Sequence, residues 1–381
     1  MQRKRIFLLG SSGSIGKQTL QVVRENPDLF EIVGLAVRRD VSTLREQAAE
    51  HRPAAICVSD AAAAHGLSTS LNCRSYVGEP ALLEAIERHE SDVVVNAITG
   101  AAGLRANVVA LRTGRRLCIA NKESLVMAGK LLLRLAGGDR SRILPIDSEH
   151  SGVYQCLLAG KVSEVRRIVL TASGGPFRGC DKATLEMASV TAALKHPTWR
   201  MGPKISVDSA TLMNKALEII EAAVLFDLAP DQIDVLVHPR SIVHAFVEFH
   251  DGSVLAHLGP TDMRLQIQYA LTYPDRWPRK QPTLDLAQLR ELKFEALDEE
   301  IFPSLRLARR ACTIGETATT VLNAANEKAV ELFLAERITL PRIFELVDQA
   351  LAVHQPCPVE SIEQVLSIDL KTRNLVAQWV S

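Results

Sequence analysis

Residues 5–16 read RIFLLGSSGSIG, and this stretch decides the fold of the 381-residue chain. A short apolar run enters a glycine-rich loop, and the helical pattern of residues 19–23 follows. A second apolar run covers residues 31–37. In this strand, loop, helix and strand order, glycines let the backbone approach a pyrophosphate at a helix N-terminus. Because the spacing is GxxGxxG rather than GxGxxG, a tight turn without a ligand is the alternative interpretation.

Apolar runs and helical patterns keep alternating through the first third of the chain, with further strands predicted at residues 54–58, 92–97, 116–119 and 142–146. This alternation predicts an α/β fold with a doubly wound, Rossmann-like parallel sheet. Ligands bind such sheets at the carboxyl ends of the strands. Lys122 follows one predicted strand end and is a candidate site residue, although a surface lysine is the alternative.

Composition narrows the class of protein. Hydrophobic residues make up 47% of the chain and charged residues 23%, as in soluble globular proteins. The formal net charge is zero, which argues against a nucleic-acid partner. The seven cysteines form no CxxC pair, which argues against a zinc knuckle. The basic N-terminus precedes only four apolar residues, too few for a signal peptide, and no run has the length of a membrane span. We therefore predict a cytoplasmic protein without a membrane partner.

A candidate metal site lies at residues 144–151, which read LPIDSEHS. The stretch begins as an apolar strand, and alternate side chains of a strand share a face, so Asp147 and Glu149, two positions apart, are predicted to point the same way. Two carboxylates on one face repel each other unless a cation lies between them, and carboxylate oxygens suit Mg²⁺ or Mn²⁺. A solvated strand end is the alternative.

A second polar group lies on a predicted helix that starts at the cap-like Asp208 and Ser209. Asn214, Lys215 and Glu218 share one face of this helix, and burying that face would be expensive without a ligand. A solvated face with a Lys–Glu pair is the alternative.

Two loops between these groups are also candidates. Ser173 begins a Ser-Gly-Gly turn that could form an anion nest, or could be a plain turn. Residues 195–204 contain Trp199 and Met201 in a loop broken by proline and glycine. Large apolar side chains are costly to leave in water, so this loop is predicted to be a lid over a ligand. A loop folded onto the core is the alternative.

The last third of the chain is predicted to change from strands to helices. Runs at residues 242–249 and 253–258 flank Asp251-Gly252, a hairpin signal, and the exposed sheet could pair with a second copy in a homodimer. Beyond residue 298 the pattern is helical and predicts a small bundle. Asn323 and Asn326 are candidates for structural hydrogen bonds.

Six segments occur in the order and spacing of the 1-deoxy-D-xylulose 5-phosphate reductoisomerase family, which the whole chain resembles. They are GSSGSIG (10–16), ANKES (120–124), PIDSEHS (145–151), SGGPF (173–177), HPTWRMG (196–202) and KISVDSATLMNKALE (204–218). The resemblance implies an NADP-dependent oxidoreductase of isoprene biosynthesis by the non-mevalonate route. Such an enzyme uses NADPH and a divalent metal to rearrange and reduce 1-deoxy-D-xylulose 5-phosphate to 2-C-methyl-D-erythritol 4-phosphate.

The resemblance also implies roles for individual residues. The metal, Mg²⁺ or Mn²⁺ with Co²⁺ as a further candidate, would be bound by Asp147, Glu149 and Glu218. The catalytic residues would be these three together with Lys122 and His196. The sugar-phosphate substrate would be contacted by Ser148, Ser173, His196, Trp199, Ser209, Asn214 and Lys215. NADPH would be bound by Ser12, Gly13, Ser14, Ile15, Arg38, Arg39, Asp40, Asn121, Glu123 and Gly202. The chain departs from the family pattern at Ser12, Arg200, Ala216 and the turn at residues 37–40.

These inferences predict three domains. Residues 1–147 would bind NADPH, and residues 148–274 would form a central α+β catalytic domain with a lid at about 195–204. Residues 275–297 would be a linker, and residues 298–381 a C-terminal helical domain. Two other functions stay open at this point: a sugar-phosphate aldolase or isomerase whose glycine loop binds no cofactor, and a sensor that binds nucleotide and phosphate without turnover.

Overall fold

The computed structural model describes residues 3–64, 73–199 and 201–380 of the chain. Arg200, one of the departures from the family pattern, lies outside the described residues. The chain divides into two compact units. The first contains Met1–Ser124, Leu132–Asp147 and Asp262–Pro282; the second contains Leu125–Leu131, Ser148–Thr261 and Thr283–Ser381.

The strands, in chain order, are β1 (Lys4–Leu9), β2 (Phe30–Val37), β3 (Ala55–Val58), β4 (Arg74–Val77), β5 (Val93–Asn96), β6 (Arg116–Ile119), β7 (Ile143–Pro145), β8 (Val165–Ala172), β9 (Ile233–Val237), β10 (Val243–Phe249) and β11 (Val254–Leu258). The predicted strands of the first third are all present, and β4 is an additional strand that the sequence pattern did not indicate.

The α-helices, in chain order, are α1 (Ser14–Glu25), α2 (Val41–His51), α3 (Glu79–Arg88), α4 (Leu104–Arg112), α5 (Lys122–Leu135), α6 (Ser148–Leu157), α7 (Lys182–Glu186), α8 (Val190–Ala193), α9 (Pro203–Ala210), α10 (Met213–Phe226), α11 (Arg264–Thr272), α12 (Leu286–Leu289), α13 (Ser304–Ile314), α14 (Ala318–Leu334), α15 (Arg342–Val353) and α16 (Ile362–Gln378). Among the described residues, none of the helices combines the length and the apolar character that crossing a bilayer requires.

The first unit is built on a parallel sheet in the order β4–β3–β2–β1–β5–β6–β7. Apart from the edge strand β4, these strands are almost continuously apolar and largely buried, as expected when helices cover both faces of a parallel sheet. The predicted doubly wound sheet is thereby confirmed. The strand order reverses direction between β1 and β5, and ligands bind such sheets at this switch point, beyond the carboxyl ends of the strands.

The glycine loop after β1 brings α1 directly against the end of that strand. A Cβ atom at Gly16 would lie 2.3 Å from the carbonyl oxygen of Gly10 and 2.6 Å from the Cα of Ser11. Because these contacts are with backbone, which cannot move aside, position 16 requires glycine. The N-terminus of α1 therefore opens at the switch point.

The second unit contains a mixed sheet in the order β11–β10–β8–β9. Strands β8, β10 and β11 pair antiparallel, and β9 pairs parallel with β8. Helix α6 packs on β10 and β11, and the almost entirely buried α10 packs on α13 of the C-terminal region. The predicted helical C-terminal region is present as α13 to α16.

Residues 262–282 fall in a different place from the one predicted. The sequence pattern placed residues 262–274 in the catalytic domain and began a linker at 275, whereas the segment belongs to the first unit. Lys4 Nζ donates to the carbonyl of Leu271 at 2.9 Å, and Trp277 stacks on Phe30 with ring centroids 6.0 Å apart. Periodicity shows that a helix has an apolar face but not which surface that face covers. The separate C-terminal domain at 298–381 stays a prediction.

Two local predictions were wrong. Strand β7 ends at Pro145 and α6 begins at Ser148, so Glu149 lies in the first turn of a helix and strand alternation does not relate it to Asp147. Serine is favoured where a helix begins, and glutamate is favoured in its first turn because its charge complements the helix dipole. Asp208 lies inside α9, which begins earlier, at Pro203, because proline is favoured in a helix's first turn. The helical conformation is interrupted at Leu212, whose φ of 57° is left-handed, and α10 starts at the next residue.

Candidate active site

The glycine loop of the first unit presents an uncapped helix N-terminus. Gly13 is the N-cap of α1 and its N–H donates to the carbonyl of Gly10 at 3.1 Å. Ser12 and Ile15 are half-buried, while Gly13 and Ser14 are exposed. Since glycine has no side chain to cap the first-turn N–H groups, they can point at an anion such as a phosphate.

The turn after β2 contains Arg38, Arg39 and Asp40, three of the residues expected to bind NADPH, and gives them different surroundings. Arg38 is exposed, and Arg39 Nε lies 2.5 Å from Asp60 Oδ2. Asp40 caps α2 by accepting the N–H of Thr43 at 3.1 Å. Hydrogen bonds from Thr43 hold the pKa of Asp40 below its usual value. Both arginines therefore lie just beyond the carboxyl end of β2, whereas the Asp40 side chain is directed toward the N-terminus of α2.

Asn121 ties together the loops that follow β5 and β6. Its Nδ2 donates to the carbonyls of Ile98 at 2.7 Å and Gly100 at 2.9 Å, and to Glu123 Oε2 at 3.1 Å. Asn121 and Glu123 are both buried. Their side chains therefore fix the shape of the loops at these strand ends.

Gly202, the remaining residue predicted to bind the cofactor, is the exposed N-cap of α9 in the second unit.

Lys122 and Asp147 form a buried ion pair at the edge of the parallel sheet. Lys122 follows β6, Asp147 follows the neighbouring β7, and Lys122 Nζ lies 2.9 Å from Asp147 Oδ2. The two side chains are 8% and 13% exposed. A pair this well buried has lost most of its hydration, so it is tolerated only when its charges compensate each other. Lys122 is therefore not the surface lysine of the alternative interpretation.

In the second unit, one ammonium group holds two carboxylates. Lys215 Nζ lies 3.1 Å from Glu149 Oε1 and 2.5 Å from Glu218 Oε2, and it donates to the carbonyl of Thr171 at 2.7 Å. The Glu218 side chain is fully buried and that of Lys215 is 5% exposed. The solvated Lys–Glu pair of the alternative interpretation is wrong, since this face of α10 lies inside the protein.

The remaining oxygens of the two carboxylates also have partners. Ser148 Oγ donates to Glu149 Oε2 at 2.6 Å, and Asn214 Nδ2 donates to Glu218 Oε1. The structure therefore brings together Ser148, Glu149, Asn214, Lys215 and Glu218, which the sequence supplied from two distant segments.

This group of side chains fits a hard divalent cation. Two carboxylates with little access to water repel each other, and here an ammonium charge already stands between the half-buried Glu149 and the buried Glu218. Oxygen donors of this kind are the ligands that Mg²⁺ and Mn²⁺ prefer. The residues present could therefore hold a metal ion.

Ser173 and His196 form a second polar pair. His196 Nδ1 accepts the backbone N–H groups of Thr198 at 3.1 Å and Trp199 at 2.8 Å, so the ring proton is on Nε2. Nε2 lies 2.9 Å from Ser173 Oγ and donates to it. Burial lowers the pKa of His196 below its ordinary value of 6.5, so the ring is neutral at neutral pH. His196 thus bonds through Nδ1 to the start of the predicted lid and through Nε2 to the Ser-Gly-Gly turn.

The Ser-Gly-Gly turn lies directly against α9. Gly175 has a φ of +67°, and a Cβ atom there would lie 2.6 Å from the carbonyl oxygen of Ser209. This close approach brings the Ser-Gly-Gly turn against the backbone of Ser209. Trp199 and Met201 in the loop before α9 are half-buried.

Two contributors were not singled out from the sequence. His150 is fully buried, and its Nε2 donates to the backbone carbonyl of Glu218 at 3.0 Å. Its position beside Glu149 was the available signal. The backbone carbonyl of Thr171 accepts a hydrogen bond from Lys215, and no feature of the sequence could indicate this, because every residue has a backbone carbonyl.

The predicted structural hydrogen bonds of the asparagines are confirmed. Asn323 Nδ2 donates to Glu327 at 2.8 Å, and Asn326 Nδ2 donates to Asp208 Oδ1 at 2.9 Å. Lys204 Nζ lies 2.6 Å from the other oxygen of Asp208. The buried Asp208 carboxylate therefore links α9 to α14.

Three family models together match most of the chain. Residues 6–129 match 1-deoxy-D-xylulose 5-phosphate reductoisomerase, residues 143–226 match the 1-deoxy-D-xylulose 5-phosphate reductoisomerase C-terminal domain, and residues 258–375 match the DXP reductoisomerase C-terminal domain.

Individual relatives agree with these models over the full length. The chain is 46% identical to the 1-deoxy-D-xylulose 5-phosphate reductoisomerase of Caldanaerobacter subterraneus subsp. tengcongensis, covering 98% of each chain. It is 47% identical to that of Symbiobacterium thermophilum, covering 98% of this chain and 97% of the relative.

Solved structures show the same fold. The Zymomonas mobilis 1-deoxy-D-xylulose 5-phosphate reductoisomerase in complex with NADPH has a TM-score of 0.92 at 37% identity, with 100% of both chains covered. A DOX-P reductoisomerase in complex with NADPH, fosmidomycin and magnesium has a TM-score of 0.92 at 40% identity, covering 99% of this chain and 98% of that one. With full-length agreement in sequence and in structure, this chain belongs to the 1-deoxy-D-xylulose 5-phosphate reductoisomerase family.

Proposed function

We propose that the chain is an NADPH- and divalent-metal-dependent enzyme that converts 1-deoxy-D-xylulose 5-phosphate to 2-C-methyl-D-erythritol 4-phosphate. The observation that carries this proposal is that the carboxylates of Glu149, which is half-buried, and Glu218, which is buried, both contact one ammonium group in a chain of this family. The switch point of the parallel sheet supports the proposed position of the cofactor site.

The proposed metal ligands are Asp147, Glu149 and Glu218. Asp147 is joined to Glu149 through Ser148, so the chain itself keeps the first two ligands near each other. The ion is Mg²⁺ or Mn²⁺, with Co²⁺ as a further candidate, since all three accept oxygen donors. When bound, the metal polarises the substrate carbonyl and stabilises negative charge on the substrate oxygens.

The proposed substrate contacts divide into two groups. The phosphate group is bound by Ser173, Ser209, Asn214 and Lys215. The reacting part of the substrate is contacted by Ser148, Lys122 and His196. Trp199 and Met201 cover the bound substrate and exclude water, so binding energy from the phosphate can hold the reacting carbons in place. Because His196 is neutral and donates from Nε2, it can orient an oxygen without changing the charge of the site.

The proposed cofactor site uses the glycine loop and the end of β2. Ser14 at the start of α1 is exposed and no side chain caps this helix, so its first-turn N–H groups would bind the pyrophosphate. Arg38 and Arg39 provide positive charge for the 2′-phosphate that distinguishes NADPH from NADH. Asp40 caps α2 and so does not compete with the arginines for that position.

An assay of cofactor oxidation tests the proposed function. The absorbance of NADPH should fall only when 1-deoxy-D-xylulose 5-phosphate and a divalent metal are both present, and chelation of the metal should stop the reaction. NADH in place of NADPH should react more slowly, because the arginines after β2 lose the phosphate they bind. Product formation without oxidation of NADPH would instead favour an aldolase or isomerase, and binding without turnover would favour a sensor.

We also propose that the chain forms a homodimer through the edge of its mixed sheet. Among the described residues, β11 pairs with β10 alone and forms one edge of that sheet. Val254 and Leu255 on this strand are 54% and 36% exposed. An exposed apolar edge strand is a template for pairing with another chain, and a second copy is the partner always present. The cytoplasmic location also stays a prediction.

A single substitution tests the dimer. Val254→Asp should convert the dimer to a monomer, because it places a charge in an interface that excludes water. Light scattering after size-exclusion chromatography measures the mass. Leu370→Asp is the matched control, since Leu370 is 59% exposed on α16 and should leave the dimer intact. A wild-type protein that is monomeric at micromolar concentration would contradict the proposal.

A further inference from the structure

The residues proposed to bind the substrate phosphate are bonded to the residues proposed to bind the metal. Lys215 Nζ contacts one oxygen each of Glu149 and Glu218, and Asn214 Nδ2 donates to the other oxygen of Glu218. Lys215 and Asn214 are thus proposed to donate hydrogen bonds to the substrate phosphate, and in this structure they donate to the proposed metal ligands instead. By contrast, Ser173, which is also proposed to bind the phosphate, bonds to His196 and accepts the backbone N–H of Gly175, and neither partner is a proposed metal ligand.

These contacts cannot all persist when a divalent ion is bound. A metal ion and an ammonium group on the same carboxylate oxygens repel each other at short range, and the effect is strong where little water screens it. The carboxylates of Glu149 and Glu218 would therefore exchange Lys215 for the metal. The same exchange frees Lys215 to donate to an anion. Conversely, an anion that draws Lys215 away removes one positive charge from beside the buried Glu218 and the half-buried Glu149, which favours metal binding.

We propose that Lys215 couples the two sites, so that a divalent metal raises the affinity for the substrate phosphate and the phosphate raises the affinity for the metal by the same factor. This inference rests on the proposed function, because it takes Glu149 and Glu218 as metal ligands. The reciprocity is a requirement of thermodynamic linkage and does not depend on the order of binding. Lys215 acts here by exchanging partners, in addition to its contact with the phosphate.

Calorimetric titration with methyl phosphate tests the coupling. This monoester carries the phosphate but lacks the neighbouring oxygens with which the substrate could chelate a metal. For the full-length wild-type chain, saturating Mg²⁺ should lower the Kd of methyl phosphate by about tenfold, a typical size for coupling between sites. Titration of Mg²⁺ with and without methyl phosphate should give the same factor.

Variants separate coupling from simple loss of binding. Lys215→Met should weaken methyl phosphate binding and reduce the effect of Mg²⁺ to less than about twofold, because the shared donor is gone. Ser173→Ala should weaken methyl phosphate binding but keep the full effect of Mg²⁺, since Ser173 does not contact the carboxylates. The comparison uses the ratio of two Kd values for each variant, so a general loss of affinity cancels.

The outcomes distinguish the inference from the proposed function. Mg²⁺ that binds the wild type without changing the Kd of methyl phosphate would overturn the coupling and leave the metal site standing. Coupling that survives in Lys215→Met would also overturn it, because the effect would then come from direct contact between metal and phosphate. Equal binding of Mg²⁺ to the wild type and to a Glu149→Gln, Glu218→Gln double variant would overturn the metal assignment itself.

Discussion

Glu218→Gln is expected to lower metal-stimulated kcat/KM by about a thousandfold, because a bound metal supplies several kcal/mol of charge stabilisation in reactions of this kind. The substitution keeps the size of the side chain but removes the charge that a metal needs. Glu218 is fully buried at the centre of α10 and bonds to Lys215 and Asn214. The amide can still fill that space, so the loss should be one of chemistry rather than of folding.

Glu248→Gln is the control for this variant. Glu248 is also a buried glutamate with two cationic partners, Arg166 at 2.5 Å and Arg167 at 2.6 Å, but it lies on β10 with no role in the proposed site. It should lose ion pairs of a similar kind and keep full activity. Circular dichroism melting of both variants checks that each is folded. Glu218→Gln activity within tenfold of the wild type at ordinary metal concentrations would argue strongly against Glu218 as a ligand.

Lys122→Met is expected to lower kcat by about a hundred- to a thousandfold, as does the loss of a single preorganised donor in other buried active sites. Lys122 Nζ is held by Asp147 at the carboxyl edge of the parallel sheet, with only 8% of its side chain exposed. Methionine retains most of the apolar stem but removes the charge. Because the glycine loop and the arginines after β2 are unchanged, the Kd for NADPH measured by fluorescence should stay within about twofold, which separates catalysis from cofactor binding.

Lys130→Met supplies the comparison on the same helix. Lys130 lies further along α5 and is exposed, so its removal should leave both kcat and the Kd for NADPH at wild-type values. If Lys122→Met and Lys130→Met were equally active, Lys122 would be a structural residue that neutralises Asp147 and no more.

The sequence predicted the parallel sheet well because its signals are local. Continuous apolar runs such as β5 separate clearly from amphipathic helices such as α3, and the glycine loop identifies the switch point. Strand β4 was missed because three of its four residues are exposed, so it lacks the apolar run of a central strand. Helix α11 was assigned to the wrong unit because the surface that covers an apolar face is not written in its periodicity.

The candidate site was predicted partly for the wrong reason. Asp147 and Glu149 were paired by strand alternation, but a helix starts between them at Ser148, and only the residue types pointed correctly to oxygen ligands. That Lys215 contacts Glu149 could not be predicted, because the two lie 66 positions apart and meet only when α6 and α10 pack in the second unit. Within α10, by contrast, the contacts of Asn214 and Lys215 with Glu218 follow from helical spacing alone.

The hydrogen bond from Asn326 to Asp208 limits how far the chain can be shortened. Asp208 is 1% exposed within α9, one residue before Ser209, and half of its carboxylate is satisfied by α14. Truncation ahead of α14 would strand that oxygen without a donor inside the protein, at a cost of about 1–3 kcal/mol. The C-terminal helices are therefore part of the frame that holds the phosphate contacts, and a minimal enzyme made only of the two sheets is not to be expected.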